Sequence, residues 1–165
     1  MKPEQRKKKP KFSLTRNNES LGELVKETDP AILAVWAADC AERVLPYFEK
    51  RYPDDPRPRD AITACRAWIT TGVCRMADIR RASLASHAAA REAGEDNPAR
   101  SAARAAGQAV ATAHVKTHSM GAAIYAQQAV WLSADPGEAD AAAAQERDWQ
   151  YRYLLALKEK SSSKE

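Results

Sequence analysis

Apolar residues recur every three to four positions along most of this chain, and proline or glycine stands where one such segment gives way to the next. Thr28-Asp29-Pro30 places a capping residue and an early proline before the first long apolar set. Asp96-Asn97-Pro98 and Asp135-Pro136-Gly137 repeat this start signal, while Gly72 and Gly94 are stop signals. The pattern predicts helices over about 31–48, 58–68, 76–93, 98–130 and 138–157.

The longest of these segments, Ala99 to Val130, is rich in alanine. Alanine loses no side-chain entropy in a helix and lets neighbouring helices approach closely. We expect a kink near Thr117 to Ser119, so the number of helices is five or six. Because short loops separate the segments, the sequence predicts an all-α fold, a compact bundle of five or six antiparallel helices.

The length of 165 residues suits one domain with one core. Residues 1–16 hold seven lysines and arginines against one glutamate, a net charge of +6, whereas the whole chain carries +4, so the remainder carries −2. Like-charged blocks of this kind stay solvated. The sequence predicts a basic, disordered N-terminal arm over residues 1–27, a single helical domain over 28–158 and a frayed C-terminal tail over 159–165.

Cysteine usage and hydropathy favour the cytoplasm. Cys40, Cys65 and Cys74 are an odd number, within predicted helices or at their ends, which is typical of reduced thiols that pack as small apolar side chains. No signal-peptide pattern precedes them, the mean hydropathy is −0.60, and no apolar run reaches the ~20 residues of a membrane span. We therefore expect a cytoplasmic protein with no membrane partner.

His114 and His118 are four positions apart, the helical spacing at which two imidazoles reach a common ion. Val115 stands where the hydrolytic zinc motif has glutamate, so that motif is absent, and a metal would need further ligands such as His87 or Asp39. In the other interpretation, the histidines lie at helix contacts and form hydrogen bonds there. We predict no cofactor, with a metal held by His87, His114, His118 and Asp39 as the alternative.

Asp39 and Glu42 flank the apolar face of the first predicted helix. Two carboxyl groups support acid–base chemistry when burial separates their pKa values, but pairing with arginine explains them without catalysis. The arginines available for such pairing are Arg43, Arg66, Arg91 and Arg104. We predict no catalytic residue. Because complementary charge orients a partner and a surface tryptophan can anchor an interface, the candidates for partner contact are Asp39, Glu42, Trp36 and Trp68.

Several dissimilar strings occur in an order that resembles one known family. They are WAADCAERVLP from Trp36, RPRDAI from Arg57, RAW from Arg66, SHAAAR from Ser86, ATAHVKTH from Ala111, GAAIYA from Gly121 and ERDWQ from Glu146. The chain resembles, from about Ala34 to Leu154, the putative immunity protein family of bacterial polymorphic toxin systems (Imm-5-like, helical). The resemblance implies an all-helical, non-enzymatic protein that binds and neutralises a cognate toxin.

Two functions of different classes follow. In the first, the bundle is an inhibitor whose preformed surface docks on a cognate protein toxin. In the second, His87, His114 and His118 converge with an acidic residue to hold a metal or small ligand. Nucleic acid is not the expected partner, because the basic arm lacks interleaved aromatic residues for base stacking. Helix faces made of small residues suit a homodimer as well as an intramolecular bundle.

Overall fold

The computed structural model describes residues 12–13 and 17–164, and within them the chain forms seven α-helices and no strand. The helices are α1 Glu19–Lys26, α2 Pro30–Glu49, α3 Arg57–Thr71, α4 Met76–Glu92, α5 Pro98–Ala111, α6 His118–Ser133 and α7 Ala139–Ser162. The all-α class is confirmed, and the predicted number of five or six is too low.

The predicted helix boundaries rest on local backbone chemistry, and most are found where expected. Pro30 opens α2 and Pro98 opens α5, where the missing N–H of proline has no cost. Asn97 caps α5, since its side chain accepts a hydrogen bond of 2.9 Å from the backbone N–H of Arg100. Gly72 ends α3 with φ = 69°, a left-handed conformation that favours glycine.

The long alanine-rich segment is not one kinked helix, as predicted, but two helices joined by residues 112–117. The two helices are antiparallel: Ser101 bonds Gln128 and, nearer the turn, Gln108 bonds His118. A continuous helix over 98–130 would be about 50 Å long and could not fold back to bury both alanine faces. The turn lacks glycine and proline, so the sequence contains no helix-stop signal there.

Both predicted terminal tails are shorter than expected. α1 lies within the arm predicted over 1–27, and its Leu21 and Leu24 join the apolar cluster that contains Trp36 and Leu154. Burying these side chains stabilises a helix that is too short to persist alone in water. At the other end α7 continues to Ser162, through the predicted tail. The rest of the predicted arm, residues 1–11 and 14–16, lies outside the described residues, as does Glu165.

α5 is the central helix, packed against α2, α3, α4 and α6. Its buried positions carry small residues almost throughout: Ala99, Ser101, Ala102, Ala103, Ala105, Ala106, Gly107, Ala109 and Val110. Small side chains let four helices surround one at close range. α4 packs against α3 and α5 and forms one edge of the bundle, while α7 lies at the other side against α2, α6 and α1.

None of the helices among the described residues combines the length and the apolar character that crossing a lipid bilayer requires.

Candidate functional site

Asp39 and Glu42 lie on the side of α2 that faces α3, and one arginine joins them. The Arg66 guanidinium donates to Asp39 Oδ1 at 2.8 Å and also bonds the Glu42 carboxylate. Arg59, two turns earlier on α3, donates to Glu42 Oε1 at 3.0 Å and to Glu49 Oε1 at 2.6 Å. The side chains of Asp39 and Glu42 are 26% and 43% exposed. Ion pairs this close to water contribute about 1 kcal/mol or less each, so the network mainly fixes side-chain positions.

α7 completes this surface. The Tyr153 hydroxyl donates to Asp39 Oδ2, and burial together with this hydrogen bond raises the pKa of Tyr153 to about 12. The Tyr153 ring stacks on Trp149, with ring centroids 4.9 Å apart. Arg43 lies 3.8 Å above the Trp149 ring and forms two hydrogen bonds, of 2.8 and 3.0 Å, to the buried Glu146 carboxylate. We call these residues, together with Glu42, Arg59 and Arg66, the charged face of α2, α3 and α7.

Asp39 and Glu42 show the pairing with arginine that the sequence suggested for them. Both carboxylates are held by Arg66. Of the four arginines expected to pair with them, Arg66 does so, whereas Arg43 pairs with Glu146 instead. Arg91 and Arg104 form no ion pair in the part of the chain that the structure describes.

The two tryptophan candidates take different positions. Trp36 is fully buried, and its indole Nε1 donates to the Gln150 backbone carbonyl at 2.9 Å. A side chain in this position supports the core and cannot contact a partner protein. Trp68 is half-buried on α3, where it packs against the main apolar cluster. It lies two positions after Arg66, so the two side chains leave α3 about 160° apart, on different faces.

The three histidines form no metal-binding group among the described residues, although two pairs of them lie close enough to interact. Burial, then nearby arginines and His118, lower the pKa of His87, and burial followed by His114 lowers the pKa of His118. His114 is exposed in the turn between α5 and α6, while His118 begins α6, so the two do not share a helix face as predicted. His118 Nδ1 lies 2.8 Å from Gln108 Oε1, and His87 Nδ1 lies 2.9 Å from Arg104 Nη1. His87 and His118 thus have the helix-contact partners that the second interpretation predicted, whereas the His114 side chain forms no hydrogen bond with any residue that the structure describes.

The surroundings of His87 oppose cation binding. Burial, and then the positive charges of Arg104 and Arg91, lower the pKa of His87 to about 4. A metal ion would meet the same repulsion that the imidazolium form meets. Asp39, the fourth residue of the predicted metal set, is bonded to Arg66 and Tyr153 instead. Within the described part of the chain, no group of three or more His, Cys, Asp or Glu side chains is arranged to hold a metal ion.

The model of one protein family, described as Imm-5 like putative immunity protein, matches residues 23–157. The chain belongs to this family. The match spans α2 to α6 completely and contains every residue of the charged face. Comparisons with the curated proteins and with the solved structures found no match.

For this immunity-family chain, sequence reasoning missed the α7 half of the charged face. Glu146, Trp149 and Tyr153 are spaced three and four positions apart, and Asp39 and Arg43 are four apart, so each set occupies one helix face. That spacing was a usable signal. It does not say which helix stands opposite α2, because the pairing of two faces more than a hundred residues apart depends on the topology of the bundle.

Arg104 differs from the arginines of the charged face. Its guanidinium contacts His87, and burial together with neighbouring Arg100 and Arg91 lowers its pKa. Beside it, at the N-terminal end of α5, a cleft of about 310 Å³ is lined by Glu95, Asp96, Asn97, Arg100, Ser101, Arg104, Tyr125, Gln128 and Leu132. The lining contains two arginines and two acidic residues, so its charge favours neither an anionic nor a cationic ligand.

Proposed function

We propose that this chain is an immunity protein that binds a cognate bacterial toxin directly and neutralises it without catalysis. The observation that carries the proposal is the family match, which extends over residues 23–157 and thus over nearly the whole helical domain. Neutralisation by binding requires a preformed complementary surface rather than a reactive centre.

Two features of the structure support a binding role. The bundle is cross-linked by hydrogen bonds between helices far apart in sequence, among them those from Trp36 to Gln150 and from Arg43 to Glu146. A scaffold of this kind loses little conformational entropy when a partner docks. In addition, the carboxylates most suited to acid–base work are engaged by arginines, as in the pairing of Asp39 with Arg66.

The proposed partner is a protein toxin, and the proposed compartment is the cytoplasm. Cys40, Cys65 and Cys74 are all free thiols, a state that a reducing compartment maintains. Asp39, Glu42 and Trp68 remain candidates for toxin contact at the surface. The separate partners of His87 and His118 give no support to a second function based on a metal or small ligand.

The decisive experiment uses the toxin encoded by the gene beside this one. Co-expression with the full-length chain is expected to restore growth, and the two proteins are expected to co-purify as a complex. If neither occurs, the proposal is wrong.

A titration of purified toxin activity then separates binding from catalysis. A binder inhibits in proportion to its amount, reaches full inhibition at a fixed stoichiometry and leaves the mass of the toxin unchanged. Inactivation by substoichiometric amounts, with a change in toxin mass, would instead show that this chain is an enzyme.

A further inference from the structure

The exposed large apolar side chains of this protein concentrate at one edge. Four are exposed among the described residues: Val73 at 61%, Leu84 at 59%, Val115 at 41% and Met76 at 36%. Three of the four belong to α4 or to the turn that precedes it. Exposed apolar side chains gathered in one place mark interaction surfaces, whereas scattered ones need no explanation.

None of the seven helices in the described part of the chain packs against the side of α4 that bears these residues. α4 packs on α3 and α5 through Ile79, Ser86, Ala89 and Ala90. Leu84 leaves the helix about 140° away from Ile79, so it faces outward. We call Val73, Met76, Arg80, Arg81 and Leu84 the outer face of α4; all five are exposed.

This edge is also positively charged. Between Val73 and Arg91 the chain carries four arginines against one aspartate, a net charge of +3, although residues 17–165 as a whole carry −2. Arg81 forms one weak pair, 3.4 Å from Asp78, with both side chains mostly exposed. Within the described residues, Arg80 and Arg91 form no ion pair. The arginines of the charged face, by contrast, are all paired with carboxylates.

We propose that the outer face of α4 is the surface on which an acidic patch of the toxin docks. This inference rests on the proposed function and specifies where the partner binds. Methionine and arginine are enriched in protein interfaces, and a group of exposed apolar side chains rimmed by polar ones marks an interaction site. Arg80, which has no ion pair among the described residues, and Arg81, whose one ion pair is weak and exposed, supply a positive potential that a negatively charged partner surface complements.

Charge also argues against other occupants. A two-fold dimer through this face would bring Arg80 and Arg81 of one copy against the same residues of the other. Nucleic acid would engage the arginines but leave Val73, Met76 and Leu84 unused, and no Phe, Tyr or Trp lies between Val73 and Arg91 to stack on bases.

The test measures the affinity of full-length variants for the neighbouring toxin by calorimetry at low and moderate salt. The double variant Arg80→Glu and Arg81→Glu is expected to weaken binding by about 100-fold, most strongly at low salt. Leu84→Ala removes apolar contact but suits a helix and is expected to weaken binding by about 10-fold. Circular dichroism confirms that both variants are folded.

The matched control reverses two exposed charges on α7, Arg152→Glu with Lys160→Glu, and so changes the net charge by the same amount. It is expected to keep its affinity within about twofold. If the wild-type chain binds the toxin and both α4 variants bind as tightly, the inference is wrong and the proposed function stands. If the wild-type chain does not bind the toxin, both are wrong.

Two further outcomes would assign the face to another occupant and overturn the inference. One is a wild-type dimer in sedimentation that Leu84→Ala dissociates. The other is binding of an RNA or DNA duplex that the Arg80 and Arg81 reversal abolishes while toxin affinity is unchanged.

Discussion

Replacing Gly107 by alanine tests the close packing on which the fold depends. A Cβ at this position would lie 2.8 Å from His87 Nε2 and 3.0 Å from the two ring carbons beside it. The His87 ring is not free to swing aside without loss, because its Nδ1 is bonded to Arg104 at 2.9 Å. α4 and α5 must therefore separate or the His87–Arg104 contact must break.

The magnitude follows from opposing effects. Alanine gains up to about 1 kcal/mol over glycine inside a helix. Overpacking costs about 1–3 kcal/mol, and losing the hydrogen bond costs about 1 kcal/mol more. We expect Gly107→Ala to lower the free energy of unfolding by about 1–3 kcal/mol, measured by urea unfolding followed by circular dichroism.

Two comparisons make the result specific. Gly22→Ala lies inside α1 with nothing within 4 Å of the new Cβ, so it is expected to stabilise by about 0.5–1 kcal/mol. In the double variant His87→Ala with Gly107→Ala the ring is gone, so the alanine at 107 is expected to be harmless. The reasoning is refuted if Gly107→Ala is as stable as the wild type, or if the two substitutions are additive.

Three further predictions concern the interior. Gln150→Leu removes the oxygen that accepts a 2.8 Å hydrogen bond from the Gln127 amide, and it is expected to lower the free energy of unfolding in urea by about 1–3 kcal/mol. Gln145→Leu, at an exposed position of the same helix, is expected to be nearly neutral. Equal effects of the two substitutions would contradict this prediction. Because the pKa of His87 is lowered to about 4, only the unfolded chain takes up its proton as the pH falls from about 6.5 to 4. Stability is expected to decline by about 1–2 kcal/mol over that range, a value reduced for partial exposure, and His87→Ala should flatten the profile measured by urea unfolding at several pH values; an unchanged slope would exclude this cause. Burial raises the pKa of the Cys40 thiol and raises that of Cys65 to about 12, whereas Cys74 is exposed. A thiol reagent is therefore expected to label Cys74 quickly in the native protein and all three cysteines after unfolding. Rapid labelling of all three cysteines in the native protein would contradict the burial of Cys40 and Cys65.

Local chemistry made the helices predictable from the sequence alone. The signals at Asp29-Pro30, Gly72 and Asn97-Pro98 act within a few residues, so α2, α3, α4 and the start of α5 follow without knowledge of the fold. The all-α class follows in the same way from alanine content and apolar spacing. The family resemblance, carried by strings such as WAADCAERVLP from Trp36, also needs no structure, and the family match confirms it.

Contacts between helices were decided by the tertiary structure. The α5–α6 turn has no glycine or proline, and it forms because folding back buries two alanine faces against α2. That turn separates His114 from His118 and removes the shared face on which a metal site depended. Trp36 and Trp68 carry the same side chain, yet one is buried and one is half-exposed, because burial depends on which helices surround a position.

What the sequence by itself determined, then, is what interactions within about one helical turn set: where α2, α3 and α4 begin and end, where α5 begins, and which residues share a face within one helix. The pairing of Asp39 with Arg66 and Tyr153, and the exposure of Leu84, depend on the order in which those faces meet. That order minimises exposed apolar area over the whole chain, and no short segment encodes it.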